Sequence, residues 1–353
     1  MKRGSKQAEA GWLFHGGRIL DARRVPARAR GRYPEAVLVR GERIEAVGPL
    51  ERLRRIAGRG VRAVDLRGGT LTPGFVDSHI HLLTWIRAVS DVWLGQQSPE
   101  GLEVAVRAAR KQTSGDQWIT IRGWVPREWP RELKRRATLD RAAPDRPLLL
   151  YAVDGHSAWG NTQALRAAGI NASTSDPPGG TVDRASSWEP TGILIEQAMS
   201  LIRPFVPRRR EPAEDLARAI RKAHSLGITG AHDFDRTDIW SAAQLLKERE
   251  ALPFRLLLSV PASKLDAAGA LELRTGWGDD RLRVGPVKFF ADGTLGSGTA
   301  LLEQRYEDDT GTGTEVISFP DLADRCLRAR KAGLTVAIHA IGDRAVRQAL
   351  DAI

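Results

Sequence analysis

Four short apolar runs in the second half of the chain limit its possible folds more than any other feature. They cover residues 228–232, 254–260, 284–290 and 334–339, and helical sequence separates each run from the next. Regular alternation of short apolar strands with helices is typical of βα units around a parallel sheet. One of the helices is predicted to begin at Pro212 and to end before Gly227, with proline and glycine in their usual places at a helix start and end. The sequence therefore predicts an α/β fold.

The stretch TPGFVDSHIHL, residues 72–82, carries the strongest chemical signal. His79 and His81 are one residue apart in a run that reads as a strand, so both imidazoles are expected to point to the same face. Neutral imidazole is a common ligand of zinc and other borderline metals. The pair is therefore half of a metal site or, on the simpler interpretation, two surface histidines on an edge strand.

The first part of the chain has a different pattern. Residues 11–70 read as short strands joined by glycine turns, with a hairpin at 39–44, and predict a small β unit. We expect this unit to cover residues 1–70 and the main domain to cover 71–353. A segment at about 85–215 reads as an insertion between βα units, and within it residues 176–190, rich in Pro, Gly and Ser, are predicted to form a loop.

Composition excludes some classes of function. The 54 basic residues outnumber the 43 acidic ones, but they are scattered, which disfavours a nucleic-acid partner. The single cysteine, Cys326, excludes an internal disulfide and fits a reducing compartment. No run approaches the length of a membrane span, and the first residues lack the apolar core of a signal peptide. We expect a soluble cytoplasmic protein with neither a membrane nor a nucleic acid as its partner.

Five motifs, taken together and in order, resemble the metal-dependent amidohydrolase superfamily. Within it they are most similar to amidohydrolase family 3, the YtcJ-like branch that includes N-substituted formamide deformylase. The motifs are TPGFVDSHIHL (72–82), DGHSAWGNTQAL (154–165), PPGGTVDR with PTGILIE (177–196), VKFFADGTLGSGTALL (287–302) and VAIHAIGDRAV (336–346). The resemblance covers almost the whole chain from about residue 11.

This resemblance implies a TIM-like (β/α)8 barrel with a metal at the C-terminal ends of its strands. A small β-sandwich would be built from N-terminal strands together with strands that return after the barrel. Outside the insertion, the main domain has room for only about five βα units of roughly 30 residues each. We therefore expect the barrel to be truncated after about its fifth strand.

The resemblance also assigns metal ligands. His79 and His81 would be the ligands on the first strand and His339 the ligand on the fifth. Lys288 lies inside an apolar run, where its amine would reach out to water or pair with Asp292. In related amidohydrolases a lysine on a mid-barrel strand is carbamoylated and bridges two metals. The expected cofactor is one or two divalent ions, with zinc as the first choice.

Three further residues are predicted to bind the substrate. His156, in DGHSAWGN, would face the site from the insertion, either touching the substrate or supporting residues that do. Asp292 would belong to a loop over the site, in which glycines permit close backbone approach. Trp124 is one of several tryptophans that either line an apolar pocket or simply fill the core.

The implied reaction is hydrolysis of a carbon–nitrogen bond other than a peptide bond, in an amide or an N-substituted formamide, by metal-activated water. The aspartate that shuttles the proton in the superfamily would lie beyond Ile353, so no catalytic residue is assigned. The alternative is an inactive, truncated fragment with only a metal-binding or oligomerisation role. The expected partners are a small-molecule substrate and a second copy of the chain in a homodimer.

Overall fold

The computed structural model describes residues 11–20, 33–113, 117–207, 211–235, 238–307 and 311–353. The chain divides into two compact units, Met1–Phe75 and Val76–Ile353. The domain ranges expected from the sequence, 1–70 and 71–353 with an insertion at about 85–215, stay predictions.

The first unit is mostly β-structure. Its elements are β1 (Gly11–His15), β2 (Arg18–Ile19), β3 (Ala36–Arg40), β4 (Arg43–Gly48), α1 (Leu50–Ala57), β5 (Val61–Asp65) and β6 (Thr70–Leu71). One sheet has the order β4-β3-β1-β5, and β2 pairs with β6. The predicted hairpin is confirmed, because β3 and β4 pair antiparallel. The helix α1 was not predicted; it buries Leu53 and Ala57 among the apolar residues of this sheet.

From Phe75 onward, strands and helices alternate. The strands are β7 (Phe75–Ile80), β8 (Val92–Trp93), β9 (Ile119–Trp124), β10 (Leu148–Ala152), β11 (Ser157–Gly160), β12 (Gly180–Arg184), β13 (Pro190–Glu196), β14 (Ile228–Asp233), β15 (Arg255–Pro261), β16 (Leu282–Phe290) and β17 (Val336–His339). The helices are α2 (Leu82–Ser90), α3 (Pro99–Arg110), α4 (Arg136–Ala142), α5 (Thr162–Ala167), α6 (Pro212–Ser225), α7 (Ile239–Glu248), α8 (Leu265–Ala270), α9 (Phe319–Lys331) and α10 (Asp343–Asp351).

A curled, largely parallel sheet of five strands, in the order β17-β16-β15-β14-β7, is the frame of the second unit. The pairs β14–β15, β15–β16 and β16–β17 are all parallel. Strands β14 to β17 coincide with the four apolar runs, so the predicted α/β fold is confirmed. The helices α2, α6 and α7 cover the sheet through one apolar cluster that includes Leu216, Ile220, Phe254 and Leu256.

A second sheet, in the order β12-β13-β11-β10-β9-β8, lies within the predicted insertion. Strands β8, β9 and β10 run parallel, whereas β10, β11, β13 and β12 pair antiparallel in turn. The prediction of a continuous loop over residues 176–190 is wrong, because β12 forms there against β13. Val182 is buried in the apolar cluster under this sheet. A Cβ on Gly180 would lie 2.2 Å from the backbone nitrogen of Ala198, so the strand begins where only glycine fits.

No helix in the described part of the chain is long and apolar enough to cross a membrane.

Candidate active site

The carboxyl ends of the parallel strands bring the four predicted metal ligands to one cleft. His79 lies near the end of β7 and His81 directly after it. Lys288 lies near the end of β16, and His339 ends β17. All four border an open cleft of about 1850 Å³. Because β7 and β17 are opposite edges of the sheet, only its curl can bring His79 and His339 to the same cleft.

The first two histidines are close neighbours. Their ring centroids lie 5.7 Å apart in an edge-to-face arrangement, and the ring of His79 stacks on Phe234 at 4.2 Å. The pKa of His79 lies below its usual value, mainly because of burial and then because of the positive charges of Lys288, His81 and His339. A lowered pKa keeps the imidazole neutral near pH 7, which is the form that binds a metal.

Lys288 has an unusual setting for a charged side chain. Its residue is only 6% exposed. Its Nζ lies 5.1 Å from the ring centroid of Phe234 and 5.1 Å from that of Phe290, within the range of cation–π attraction. The amine is therefore enclosed between two aromatic rings at the border of the cleft.

Two carboxylates that the sequence analysis did not single out support the β7 end. The Asp233 carboxylate accepts the backbone N–H of Leu82 at 2.7 Å, and Asp235 accepts that of Leu83 at 2.6 Å. Acidic groups at this end of α2 are favourable because the first N–H groups of a helix lack partners within it. The Asp235 carboxylate also lies 3.9 Å from Nδ1 of His81, so it helps to fix the residue that precedes the helix.

The same two carboxylates affect each other. Burial and, to a smaller extent, the neighbouring charge of Asp235 raise the pKa of Asp233 to about 7. Two acidic residues directly after an apolar strand were the signal that could have identified this pair.

His156 faces the cleft from the second sheet. Its Nδ1 lies 3.0 Å from both carboxylate oxygens of Glu196, and its ring centroid is 6.1 Å from that of His339. Glu196, at the end of β13, also accepts a hydrogen bond of 2.9 Å from the Thr299 hydroxyl. The sequence analysis missed Glu196, although an acid that ends the apolar run ILIE was a signal for it. The substrate contact of His156 stays a prediction.

The other two predicted substrate residues lie outside the lining of the cleft. Asp292 is 1% exposed, and its carboxylate accepts backbone N–H groups from Leu301, Ile341 and Gly342. Trp124 is fully buried, with its ring centroid 5.3 Å from that of Trp159. Both side chains are held by contacts within the protein, so their placement gives no support to the predicted roles in substrate binding.

The chemistry of the histidines fits a divalent metal. Two imidazoles that share one ion at about 2.1 Å have ring centroids within roughly 6.5 Å of each other, and the His79–His81 pair meets this condition. Nε2 of His339 donates to the carbonyl oxygen of Gly293 at 2.9 Å, which leaves Nδ1 as its potential metal ligand. Such a bond from the second ring nitrogen to a carbonyl is common for metal-binding histidines.

The ligand set is not assembled, however. Among the residues that the structure describes, no three His, Cys, Asp or Glu side chains are arranged to hold a metal ion. The imidazole donors and the spacing of His79 and His81 fit a metal. The set would be complete if His339 lay closer to this pair.

Comparison with known proteins identifies the family. Residues 62–353 match the amidohydrolase family, and residues 36–56 match an imidazolonepropionase-like composite domain of bacteria. The protein YtcJ of Bacillus subtilis (strain 168) is 33% identical, over 97% of this chain and 65% of that protein. N-substituted formamide deformylase of Arthrobacter pascens is 30% identical, over 95% of this chain and 65% of that protein.

The crystal structure of an uncharacterized metal-dependent hydrolase from Pyrococcus horikoshii OT3 has a similar fold. It superposes with a TM-score of 0.74 at 27% identity, over 97% of this chain and 68% of that chain. The present chain thus spans slightly less than two thirds, 65%, of the length of these two curated relatives. The family predicted from the five motifs is confirmed, and the chain belongs to the amidohydrolase family.

Proposed function

We propose that the protein is a metal-dependent hydrolase of carbon–nitrogen bonds other than peptide bonds, acting on an amide or an N-substituted formamide. The observation that carries this proposal is the meeting of His79, His81, Lys288 and His339 in one cleft at the ends of parallel strands. Membership of the amidohydrolase family supports it, and favours a hydrolase over the inactive alternative. Similarity to N-substituted formamide deformylase supports the choice of substrate class.

His79, His81 and His339 would hold the divalent ion, and zinc suits three imidazole ligands. When bound, such an ion lowers the pKa of a coordinated water towards neutrality and polarises the scissile carbonyl. Lys288 would become an anionic ligand if its amine reacted with carbon dioxide, forming an N–C bond and releasing one proton. A carbamate at this position would allow a second ion.

The proposal extends to the fold of the whole protein. We propose that the curled sheet is part of a (β/α)8 barrel truncated in this chain after its fifth strand, and that the strands of the first unit belong to a β-sandwich. The similarity to the Pyrococcus hydrolase, of which this chain covers 68%, supports this. The remaining strands, with the aspartate expected on the eighth, would then lie outside residues 1–353. The intact mass of the protein from its native cell tests this part, and a mass of 38.7 kDa would contradict it. A small-molecule substrate and a homodimer stay predictions.

The test of the reaction is release of butylamine from N-butylformamide by the purified protein with added zinc. Loss of a residue that hydrogen-bonds to a metal ligand lowers activity roughly 10–100-fold. His81→Gln and Lys288→Met change the predicted ligands themselves, so each should lower kcat/KM by more than this. His224→Gln is the matched control, because His224 is an exposed residue of α6 that does not border the cleft. Equal activity of the wild type and both cleft variants would contradict the proposal, as would the absence of any zinc-dependent release.

A further inference from the structure

The cleft extends beyond the predicted metal ligands, along the length of helix α2. His81 directly precedes this helix, and Leu83, Arg87 and Ser90 are among the helix residues that border the cleft. An α-helix rises about 1.5 Å per residue, so Arg87 lies roughly 9 Å and Ser90 roughly 13 Å beyond His81 along α2. The cleft is therefore long enough for a ligand that reaches from the histidines to the far end of this helix.

The far end of the cleft is rich in positive charge. Its basic residues, which we call the cationic end, come from α2, β9, the segment after β13 and α6; they are Arg87, Arg122, Arg203, Arg218, Arg221 and Lys222. Two carboxylates, those of Asp91 and Asp215, lie among them. The other acidic residues that border the cleft lie near the histidines or after β14; they are Asp154, Glu196, Asp235 and Asp238. Six positive charges at the cationic end thus accompany two negative ones.

Contacts between α2 and α6 place part of this cluster. Nη2 of Arg218 donates to the hydroxyl of Ser90, the last residue of α2, at 2.7 Å. Arg221 and Lys222 follow Arg218 by three and four residues, so the three side chains share one face of α6. All three border the cleft. The α6 part of the cationic end is therefore beside the end of α2.

Tyr151, on β10, locates two more of the arginines. Nε of Arg122 donates to the carboxylate of Asp91, directly after α2, at 2.7 Å, and its Cζ lies 4.9 Å from the centroid of the Tyr151 ring. Burial raises the pKa of the Tyr151 phenol, and the positive charges of Arg122 and Arg203 oppose this rise. Arg203 therefore lies near the same ring, on the side of the cleft formed by the second sheet.

The charges of the cationic end are only partly balanced. Arg87 and Arg218 share the carboxylate of Asp215, at 2.8 and 3.3 Å, and this side chain is only 5% exposed. Nη2 of Arg87 is buried and has no hydrogen-bond partner among the described residues. Arg203 and Arg221 are exposed and form no ion pair with any residue that the structure describes. Because an unsatisfied buried donor is costly, an anion in this part of the cleft would be stabilising.

We infer that the cationic end binds a negatively charged group of the substrate, roughly 9–13 Å from the histidines along α2. Guanidinium groups bind carboxylates and phosphates through charge-assisted hydrogen bonds, so the shared chemistry is that of an oxyanion. Leu83 and Ile86 border the cleft between His81 and Arg87, which suits an apolar chain between the reacting amide and the charge. Resting on the proposed function, this inference names the substrate as an amide or formamide with an anionic tail.

The first experiment measures binding without any reaction, by isothermal titration calorimetry of the full chain with zinc. The probes are 8-methoxyoctanoate, which has no carbon–nitrogen bond to hydrolyse, and its uncharged methyl ester. We expect the carboxylate to bind the wild type at least about tenfold more tightly than the ester. Arg203→Gln/Arg221→Gln should weaken carboxylate binding by about tenfold and leave ester binding unchanged, because both side chains are exposed and their loss removes only positive charge.

The matched control is Arg325→Gln/Arg330→Gln, which removes two positive charges from exposed positions of α9 that do not border the cleft. It should bind both probes as the wild type does. Equal affinity of the wild type for the carboxylate and the ester would overturn the inference, as would equal weakening in the two double variants. Excess inorganic phosphate distinguishes the two anions: loss of carboxylate binding would show that the site accepts either, and unchanged binding would restrict it to carboxylates.

The second experiment compares the hydrolysis of 8-formamidooctanoate with that of its methyl ester, in the presence of zinc. The ratio of their kcat/KM values should favour the carboxylate in the wild type and fall by about tenfold in Arg203→Gln/Arg221→Gln. If neither formamide is hydrolysed but the binding preference depends on these arginines, the proposed function fails and the anion site stands. If both are hydrolysed with equal kcat/KM, the inference fails and the function stands.

Discussion

Asp292 offers the sharpest test of how the loop after β16 is held. Its buried carboxylate accepts the backbone N–H of Leu301 at 2.9 Å, of Ile341 at 3.0 Å and of Gly342 at 2.8 Å. It therefore joins the end of β16 to two chain segments, one of which follows β17 and its His339. On this geometry Asp292 stabilises the frame of the site.

The substitution Asp292→Asn preserves size and removes one acceptor. If the amide oxygen keeps Leu301 and Gly342, the new NH2 group faces the N–H of Ile341, and two donors oppose each other. Hydrogen bonds to charged groups contribute about 1.5–3 kcal/mol each, and the two that remain become neutral and weaker. We therefore expect the free energy of unfolding to fall by about 3 kcal/mol.

Urea unfolding followed by tryptophan fluorescence measures this change. The control is Asp324→Asn on α9, where an exposed carboxylate lies 3.6 Å from Arg328 and should contribute less than about 0.5 kcal/mol. The reasoning would be refuted if Asp292→Asn unfolded like the wild type while the KM for N-butylformamide rose. That result would support the substrate-binding role predicted from the sequence.

Three further substitutions test other parts of the structure. Because folded Asp233 has a pKa of about 7, against about 4 when unfolded, the folded state binds the extra proton between these values. The free energy of unfolding should therefore decrease as the pH rises from about 4 to about 7, and Asp233→Asn should flatten this slope. Trp124→Ala should cost about 4 kcal/mol of stability, because the ring is fully buried, and leave KM unchanged. Gly342→Ala should cost about 2 kcal/mol, because its Cβ would lie 1.9 Å from a backbone oxygen.

Each of these has its own control, measured by urea unfolding. Asp324→Asn should keep the wild-type pH slope, and a slope that survives Asp233→Asn would contradict the assignment. Trp277→Ala removes an exposed ring and should change stability by less than about 0.5 kcal/mol. Gly95→Ala adds a Cβ with no heavy atom within 4 Å, so equal effects at Gly95 and Gly342 would contradict the steric argument.

The parallel sheet was predictable because its strands are covered on their faces and therefore read as short continuous apolar runs. The strand β12 was not, because only its pairing with β13 and the burial of Val182 make it a strand. Likewise α1 was missed because it is only eight residues long, carries four charged residues and buries only Leu53 and Ala57. In both cases, contacts with residues distant in the sequence determine the secondary structure.

The candidate site divides in the same way. The same-face placement of His79 and His81 follows from strand geometry alone, and His339 follows from its position at a strand end. Glu196 meets His156 across 40 residues, and Asp235 meets Leu83 across 152. Residues so far apart in the sequence form no local motif from which their contact could be predicted. The orientation of Trp124 into the core depends on neighbours such as Trp159, which composition does not reveal.

Metal stoichiometry tests the central claim most directly. The chain would be purified with zinc, dialysed against metal-free buffer and analysed by inductively coupled plasma mass spectrometry, beside the His79→Ala/His81→Ala double variant and His224→Gln. We predict roughly one or two ions per chain in the wild type and in His224→Gln, and near none in the double variant. Equal zinc content in the wild type and the double variant would contradict the assignment of these histidines as metal ligands.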